Sequence, residues 1–517
     1  MSLSSEFSDS VVLDGERGAH AARHSLVVSD LHLTEAESVD LRRPLWKRYK
    51  QRDLFIDDTF AQWLQRSIAM VKEQGGRTED IELVLAGDIF DFDAVMAIPR
   101  EPPWPVHWLE RHRGLEPQEA KSRFKIEIIL RDHSTWVQAV KGLLQAGGQV
   151  VFVIGNHDLE LQWQAVQDAI RTALDVSLSE HSQVRFAEWF YISGDTLIEH
   201  GNQYDAYCVC SDPVNPFIEK GSVSSLRLPF GNLASRLLLN GMGLFNPHVE
   251  STFVMSFGQY VSFFLRYLIR IQPLLLWTWF WSAMVTLQRA LTDGLRPAVR
   301  DPVTFGSRLD GIAQRAHSSL SIVLALRELH VHSAYFSPFK IMRELWLDRA
   351  LLVLGMAYGS VQLILFVNAF VPVNLLWSFI PLALALPTLM FYAADIQTDV
   401  YEVQKVSFHK IPIAAQIAGV TRVIHGHTHR EVHTYINEVE HLNTGTWSPA
   451  YHDPECTVPF GRKCFVWLFP TPSGVRKAHL YEWVDGEARL LSGDAEVSKV
   501  HWKLRHLSSA PPAPTQG

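Results

Sequence analysis

Three short apolar runs in the first third of the chain each end in a cluster of polar side chains. They read SLVVSDLHL at 25–33, IELVLAGD at 81–88 and QVVFVIGNHD at 149–158. Runs of this kind are typical of strands buried on both faces, and polar residues at their carboxyl ends are typical of a site at the edge of a parallel sheet. Helical patterns at 53–74 and 118–146 lie between the runs. The alternation predicts a layered α/β fold.

The strand pattern resumes on the far side of a long interruption. Runs typical of strands lie at 184–192, at 195–200 and at 420–425. The stretches 431–445 and 463–484 each have the character of an antiparallel pair. We therefore expect segments from both ends of the chain to complete one layered structure, with the interruption inserted between them.

The interruption, 206–419, contains two adjacent apolar runs without a charged side chain. The first, 350–371, reads ALLVLGMAYGSVQLILFVNAFV, and the second, 375–394, follows a short turn. Each is long enough to cross a bilayer, so together they predict a transmembrane hairpin over 350–394. The alternative is a buried hairpin in a large soluble domain, although core helices usually keep a polar face. An earlier stretch, 257–287, suits a helix lying in the membrane interface better than a span.

The topology of such a hairpin predicts where the catalytic segments lie. Two crossings return the chain to its starting side, so the segments before and after the insertion share a compartment. Lys340, Arg343 and Arg349 precede the first apolar run, and positively charged flanks stay on the cytoplasmic side. Residues 1–20 lack the basic segment and apolar run of a signal peptide. We therefore expect a membrane-associated protein whose catalytic domain faces the cytoplasm.

Five short motifs rich in Asp, His and Asn each directly follow an apolar run. They are Asp30-x-His32, Gly87-Asp88-x-x-Asp91, Gly155-Asn156-His157-Asp158, His200-Gly201 and Gly426-His427-x-His429. Any one of them alone is commonly a turn or an exposed pair, but all five in this arrangement are not expected by chance. Carboxylate and amide oxygens suit hard divalent cations, and imidazole suits Mn, Fe, Zn or Ni. The motifs therefore predict two divalent cations about 3.5–4 Å apart, the arrangement that cleaves phosphate esters.

In these motifs the chain resembles the calcineurin-like metallophosphoesterase superfamily, whose pattern is D-x-H, G-D-x-x-D, G-N-H-[DE], H and G-H-x-H. The resemblance implies that Asp88 bridges two metal ions. It implies two further ligand groups, which are Asp30, His32 and His429 for one ion and Asn156, His200 and His427 for the other. His157 would contact the phosphoryl group and assist the leaving oxygen, with Asp158 holding its ring. Asp91 would lie outside the ligand set.

The resemblance, which covers 25–205 and 420–485, also implies a fold and a division of the chain. The fold is α/β, a four-layer α/β/β/α metallophosphoesterase sandwich interrupted by a large, mostly helical, membrane-associated insertion. The expected segments are a lead-in (1–24), the first part of the catalytic domain (25–205), the insertion (206–419), the second part of the domain (420–485) and a C-terminal tail (486–517). The tail from Ser508 is rich in Pro and Ser and is expected to be disordered.

One segment outside the motifs has two interpretations. Residues 101–113 read EPPWPVHWLERHR and follow the second metal motif. They predict either a cap over the substrate, with Trp108 and Arg111 against a lipid or a base, or a packed surface loop.

The motif wording SDLHL, GNHD and DTLIEHGNQYD is most similar to the bacterial UDP-2,3-diacylglucosamine diphosphatase group. The similarity implies hydrolysis of a phosphate mono- or diester, for example a lipid-linked or nucleotide-linked pyrophosphate, with membrane lipid as a partner. One alternative is a phosphoesterase for a soluble nucleotide, cyclic nucleotide or phosphoprotein with the hairpin as a simple anchor, and another is a non-catalytic membrane scaffold. The formal net charge of −8 argues against a nucleic-acid partner. Manganese is the expected metal, with iron, zinc or nickel as alternatives.

Overall fold

The computed structural model describes residues 23–177, 182–243, 262, 264–268, 274–298, 302–394, 400–492 and 498–500. The predicted lead-in, apart from its last two residues, and the predicted tail from Ser508 lie outside these ranges. The strands are β1 (His24–Val28), β2 (Ile81–Ala86), β3 (Gln149–Val153), β4 (Val184–Ala187), β5 (Phe190–Ser193), β6 (Thr196–Glu199), β7 (Phe217–Lys220), β8 (Val223–Leu226), β9 (Arg422–His425), β10 (Glu431–Ile436), β11 (Val439–Thr444), β12 (Cys464–Pro470), β13 (Arg476–Val484), β14 (Glu487–Ser492) and β15 (Ser498–Val500). The helices are α1 (Asp57–Glu73), α2 (Trp108–Arg113), α3 (Glu119–Asp132), α4 (Ser134–Gln145), α5 (Gln164–Ala173), α6 (Phe230–Leu237), α7 (Leu275–Leu295), α8 (Pro302–Arg315), α9 (Leu320–Glu328), α10 (Pro338–Glu344), α11 (Leu347–Asn368), α12 (Phe379–Ala394) and α13 (Val400–Ala418).

The first sheet has seven strands in the order β14-β13-β12-β1-β2-β3-β4. Strands β1 to β4 run parallel to one another, and β12 runs antiparallel to β1. Leu26 pairs with Leu83, and Leu83 pairs with Val150, so the three predicted motif strands lie side by side. Because neighbouring parallel strands end at the same edge of a sheet, the polar residues after β1, β2 and β3 meet there.

The second sheet has the order β15-β10-β11-β9-β6-β5 and packs against the first. Apolar side chains from both sheets, among them Val27, Val84, Tyr191 and Ile424, form one buried cluster. Residues of α1, α3, α4 and α5 share a second buried cluster with the first sheet, and residues of α8, α9 and α13 share a third with the second sheet. The predicted α/β class is confirmed.

The helices over the second sheet come from the segment that the sequence assigned to the insertion. Leu309 of α8 and Ala414 of α13 lie in the same buried cluster as Ile192 of the second sheet. Part of the segment 206–419 therefore contributes to the core beside the second sheet. Beyond the predicted end of the domain at residue 485, β14 continues the first sheet by pairing with β13.

Two predicted elements each divide into two. The predicted strand 184–192 is β4 and β5, which lie in different sheets. The helical pattern 118–146 is interrupted at His133, whose Nδ1 lies 2.7 Å from Asp57 Oδ1 and whose Nε2 lies 2.7 Å from the Thr34 carbonyl oxygen. Both ring nitrogens of His133 thus bind neighbouring elements at the junction of α3 and α4. The helix predicted at 53–74 and the remaining predicted strands are confirmed to within a few residues.

The predicted hairpin consists of α11 and α12, which contact each other. Helix α11 is long and apolar enough to cross a membrane, and only 11% of its most apolar window is buried. Large apolar side chains, including Leu354, Phe366, Trp377 and Leu384, are exposed on the hairpin. That exposure disagrees with the alternative of a buried core hairpin. Helix α12 has 16 residues and contains Pro387, so it is shorter than the roughly 20 residues that a spanning helix needs.

A buried network of charges fixes α7 to the rest of the structure. Lys220 Nζ lies 2.9 Å from Glu116 Oε2 and 2.9 Å from Asp293 Oδ2, the latter on α7. Glu116 Oε1 lies 3.2 Å from an Arg236 nitrogen of α6 and 3.6 Å from an Arg289 nitrogen of α7. Burial alone would raise the pKa of Glu116, but these cations outweigh burial and hold that pKa below its ordinary value. The ionised carboxylate therefore stabilises the docked helix.

Replacing Glu116 by glutamine is expected to lower the free energy of unfolding by about 3 kcal/mol at pH 7, because buried cations lose their counter-charge. The depressed pKa means that this contribution is complete above the carboxyl pKa of the unfolded chain and disappears as the pH falls, so the difference should shrink in acid. Urea unfolding of the full chain in detergent measures it. Glu127→Gln, which removes an exposed pair with Arg123, should cost at most about 0.5 kcal/mol. Equal losses in the two variants would contradict the role given to Glu116.

Candidate metal centre

Loops after five strands bring the predicted ligands together. Asp30, Asp88 and Asn156 follow β1, β2 and β3 of the first sheet, while His200 and His427 follow β6 and β9 of the second. Five of the seven predicted ligands are buried, and the two of the last motif are partly buried. The structure therefore gathers residues from across the sequence into one site between the edges of the two sheets.

Asp30, His32 and His429 form a first group whose ligand atoms converge. His429 Nε2 lies 3.2 Å from Asp30 Oδ1 and 3.3 Å from His32 Nε2, and the distance from His32 Nε2 to Asp30 Oδ1 is 3.9 Å. Two atoms that are each about 2.1 Å from one ion lie about 3.0–3.4 Å apart in octahedral or tetrahedral geometry. The two shorter distances match that separation, so this group could hold a metal ion.

Asp88, His200 and His427 form a second convergent group. His200 Nε2 lies 3.1 Å from Asp88 Oδ2, and the same oxygen lies 4.0 Å from His32 Nε2 of the first group. Burial opposes ionisation of Asp88, but His200, His157 and His427 outweigh burial and hold the pKa of Asp88 well below its ordinary value. The Asp88 carboxylate thus lies, ionised, within reach of both groups.

The backbone at the site is held in an uncommon conformation. Five of the seven predicted ligands have left-handed φ angles, which are 53° for Asp30, 50° for His32, 53° for Asp88, 67° for His427 and 54° for His429. Such angles are rare outside glycine and concentrate at functional sites, because the surrounding structure must enforce them. Gly87 also has a positive φ, and a Cβ there would lie 2.4 Å from the His200 ring. The glycine therefore allows the imidazole to reach Asp88.

Several buried polar atoms at the site fit a bound cation. Within the described ranges, Asp30 Oδ1, Asn156 Oδ1 and His200 Nε2 are buried without a hydrogen-bond partner. His200 Nδ1 lies 3.0 Å from the Ala86 carbonyl oxygen. A carbonyl only accepts, so Nδ1 carries a hydrogen, and Nε2, the atom beside Asp88, is the nitrogen that could bind a cation. Unpaired buried acceptors cost free energy, which a cation between them would recover.

The His157 ring lies beside both groups and has different partners from those predicted. The Asp158 oxygens accept from the Gly155 and Ile89 backbone N–H groups, at 2.6 and 2.9 Å, and thereby shape the loop. His157 Nδ1 instead lies 3.3 Å from Asp91 Oδ1 and 3.6 Å from Asp93 Oδ2. The prediction that Asp158 holds this ring was therefore wrong, because its carboxylate is occupied by backbone donors.

The charge state of His157 follows from its carboxylate neighbours. Burial would lower the pKa of His157, but Asp91, Asp88 and Asp93 outweigh burial and raise the pKa to about 10. Cations in the two groups would oppose that rise through like-charge repulsion. Burial also raises the pKa of Asp93 to about 7, so Asp91 is the stronger counter-charge. The ring can therefore hold a proton beside the ligand groups.

Asp205, outside the predicted set, fixes the ring of His427. Asp205 Oδ2 lies 3.1 Å from His427 Nε2, and His427, Asp205 and Cys208 form another group of convergent atoms. Burial opposes ionisation of Asp205, but its contacts with His427 outweigh burial and lower its pKa. A carboxylate that accepts from Nε2–H leaves Nδ1 as the nitrogen with a lone pair. When Asp205 accepts in this way, the other nitrogen of His427 is the one that could hold a metal ion.

Asn232 of α6 connects the predicted insertion to the site. Its Nδ2 donates to the Asn156 carbonyl oxygen at 2.9 Å and to Asp93 Oδ2 at 2.5 Å. Asn240 Nδ2 donates to the Asp93 carbonyl oxygen at 2.8 Å. Asn232 is fully buried, so one amide fixes both a predicted ligand and a carboxylate beside His157.

Replacing Asn232 by leucine, which has a similar volume, is expected to lower metal affinity or turnover by about 10- to 100-fold, because the Asn156 loop loses its donor. Metal content and turnover of an aryl phosphate measure the effect. Asn232→Asp should be as damaging, because a carboxylate oxygen, which only accepts, would replace the N–H donor beside Asp93. Ser235→Ala on the same helix is the control. Normal metal content and turnover in Asn232→Asp would show that only the shape of the side chain matters.

Three site residues escaped the sequence analysis. Asp93 lies two positions after Asp91 in GDIFDFD, and Asp205 lies in the segment DTLIEHGNQYD, so both are close to recognised motifs. Asn232 lies in the insertion, where no local pattern marks it. The site thus contains His and Asp groups that could hold a metal ion, with a histidine beside them. A scan against protein-family models finds no match for this chain, and a search of curated proteins finds none either.

Proposed function

We propose that this chain is a membrane-associated, two-metal phosphoesterase that hydrolyses a phosphate mono- or diester, built on the four-layer metallophosphoesterase sandwich. The observation that carries the proposal is the Asp88 carboxylate, which lies within reach of two groups of convergent histidines. Asn156 would complete the second group, because its Oδ1 is buried without a hydrogen-bond partner and the next backbone N–H, of His157, donates to Asp88. The mixture of carboxylate, amide and imidazole ligands suits manganese, with iron, zinc or nickel as alternatives.

A phosphate ester is anionic and resists attack by a nucleophile until its charge is neutralised. When bound, two divalent cations supply that neutralisation and a hydroxide nucleophile at neutral pH. His157 donates its proton to the leaving oxygen as the P–O bond breaks, so that an alcohol departs instead of an alkoxide. Asp91 keeps the ring oriented and protonated before the transfer. Part of the His157 side chain is exposed, which gives a substrate access to it.

The exposed apolar surface of the hairpin favours a substrate that is located at a bilayer. Helix α11 has the length and composition of a membrane span, and α12 returns the chain beside it. Lys340 and Arg343 precede α11 and are exposed, which favours a cytoplasmic location for the catalytic domain. A hydrolase held at the membrane meets lipid-linked esters at high local concentration. We therefore propose a lipid-linked phosphate ester or pyrophosphate as the substrate class.

Hydrolysis of a small panel of substrates by the detergent-purified chain with manganese tests the proposal. The panel contains an aryl monoester, an aryl diester, a nucleotide diphosphate sugar and its acylated form, each assayed beside Asp88→Asn. We expect metal-dependent turnover that is lost in the variant, with preference for the acylated compound.

Each other outcome has a defined meaning. Equal or better turnover of the soluble compounds would retain the phosphoesterase and reduce the hairpin to an anchor. No turnover of any compound, together with no bound metal, would reject the enzyme and favour a membrane scaffold.

A further inference from the structure

Helix α7 carries large apolar side chains both against the core and on the side that faces away from it. The fully buried positions of the helix carry small and polar residues, which are Ser282, Ala283, Thr286, Ala290 and Asp293. Beside them, larger apolar side chains pack partly buried against the core, which are Trp279, Phe280, Val285 and Leu287. The other side carries large apolar residues at helical spacing, with exposed fractions of 69% for Leu274, 65% for Trp277, 51% for Trp281 and 43% for Met284. A surface helix of a soluble protein normally buries its apolar stripe. This stripe instead faces away from the core.

The elements in contact with α7 add further exposed aromatic side chains. Trp108 of α2 is 63% exposed and shares a cleft with Trp281. Residues 334–336 and α10 contact α7 and expose Phe336 and Phe339, and Trp346 is exposed at the start of α11. We call this set the aromatic face, and its members are Trp108, Trp277, Trp281, Phe336, Phe339 and Trp346.

Cationic side chains lie among these aromatic residues. Arg111 on α2 and Lys340 and Arg343 on α10 are exposed. Tryptophan and phenylalanine beside lysine and arginine are typical of the headgroup region of a bilayer, where an amphipathic ring meets both apolar and polar surroundings. The face also adjoins α11, the helix whose exposed apolar surface fits the bilayer interior. The composition of the aromatic face and its position beside α11 thus both indicate that a bilayer covers it.

We propose that the aromatic face lies in the headgroup region of a bilayer containing anionic lipids and orients the catalytic core on the membrane. The charge network of Glu116, Lys220 and Asp293 attaches α7, and with it Trp277 and Trp281, to the rest of the structure. Helix α6, which carries Asn232, contacts α7. The insertion therefore sets the height and tilt of the site relative to the lipid surface. This inference rests on the proposed membrane association of α11 and not on the proposed chemistry.

Spin labels on the full chain, reconstituted in vesicles of phosphatidylcholine and phosphatidylglycerol, test the inference. Cysteine replaces Trp277 on the face, Leu363 on the hairpin or Val475 on an exposed turn, and the unchanged protein gives the background from Cys208 and Cys456. Collision rates with oxygen, which enters the bilayer, and with a water-soluble nickel chelate are measured. We expect the nickel collision rate at 277 to be several-fold lower than at 475 and higher than at 363. Removing phosphatidylglycerol should raise the rate at 277.

The remaining outcomes distinguish a failure of this inference from a failure of the proposed membrane association of α11. The first is a label at position 277 with the same high nickel collision rate as the label at 475, while the label at 363 is protected by the bilayer. That result would overturn the membrane role of the aromatic face and retain the transmembrane hairpin. Water-like behaviour at both 277 and 363 would overturn both. Protection of 277 from oxygen and nickel alike, with spin–spin broadening, would mean that a second copy of the chain covers the face. Turnover of a soluble aryl ester by the same variants reports the chemistry independently.

Discussion

Asp88→Asn is expected to reduce turnover of every substrate by about 10³-fold or more and to reduce the bound metal below two ions per chain. Asparagine preserves the shape of the side chain and removes the charge that lies between the two histidine groups. Charge stabilisation by metal ions contributes several kcal/mol to catalysis, and each 1.36 kcal/mol changes the rate by about tenfold. Elemental analysis of the purified chain and the initial rate with an aryl ester provide the two measurements.

The metal measurement distinguishes this expectation from a general loss of structure. Asp168→Asn removes an exposed carboxylate on α5 and should change neither metal content nor rate. Asp88→Asn should also unfold more easily in the presence of excess metal than the unchanged chain, because fewer ions stabilise its folded state. Full metal occupancy with normal turnover in Asp88→Asn would remove the bridging role and, with it, the two-metal proposal.

The strands that carry the ligands were predictable because each has a strong local signal. The runs before Asp30, Asp88 and Asn156 are continuously apolar, and parallel strands deliver their following residues to one edge. The structure brings all seven predicted ligands into adjoining groups or beside them. The antiparallel pairs β10–β11 and β12–β13 were likewise readable from sequence, since each requires only neighbouring segments.

What the sequence did not predict depends on contacts between distant segments. The apolar runs of the hairpin, which have no charged side chain, predict a membrane segment. The helices α8 and α13 on either side of it were assigned to the same insertion. Their burial on the second sheet involves side chains of β5, which lies much earlier in the chain, together with those of β9. The Asp158 prediction failed for a similar reason, because the backbone donors of Gly155 and Ile89 that occupy its carboxylate appear only when the loops meet. Asn232 acts across 76 residues on Asn156.

His157→Gln is expected to slow cleavage of an alkyl phosphate ester by about 10²- to 10⁴-fold, the range of general acid catalysis, while leaving the metal content unchanged. The loss should be much smaller for a nitrophenyl ester, because nitrophenolate is a stable leaving group that needs no proton. Rates for a series of esters with increasing leaving-group pKa should therefore fall more steeply in the variant than in the unchanged chain. His332→Gln, which changes an exposed histidine, is the control.

The comparison of alkyl and nitrophenyl esters also distinguishes two possible roles of His157, proton donor and metal ligand. Its ring nitrogen converges with His32 and Asp88, so a metal-ligand role is the competing interpretation. A lost ligand would lower metal content and slow alkyl and nitrophenyl esters alike, whereas a lost proton donor affects the poor leaving group selectively. Asp91→Asn should give a weaker form of the selective loss, because the ring keeps its place near Asp93 but its favoured protonation weakens. A uniform loss with reduced metal in both variants would reassign His157 from acid to ligand.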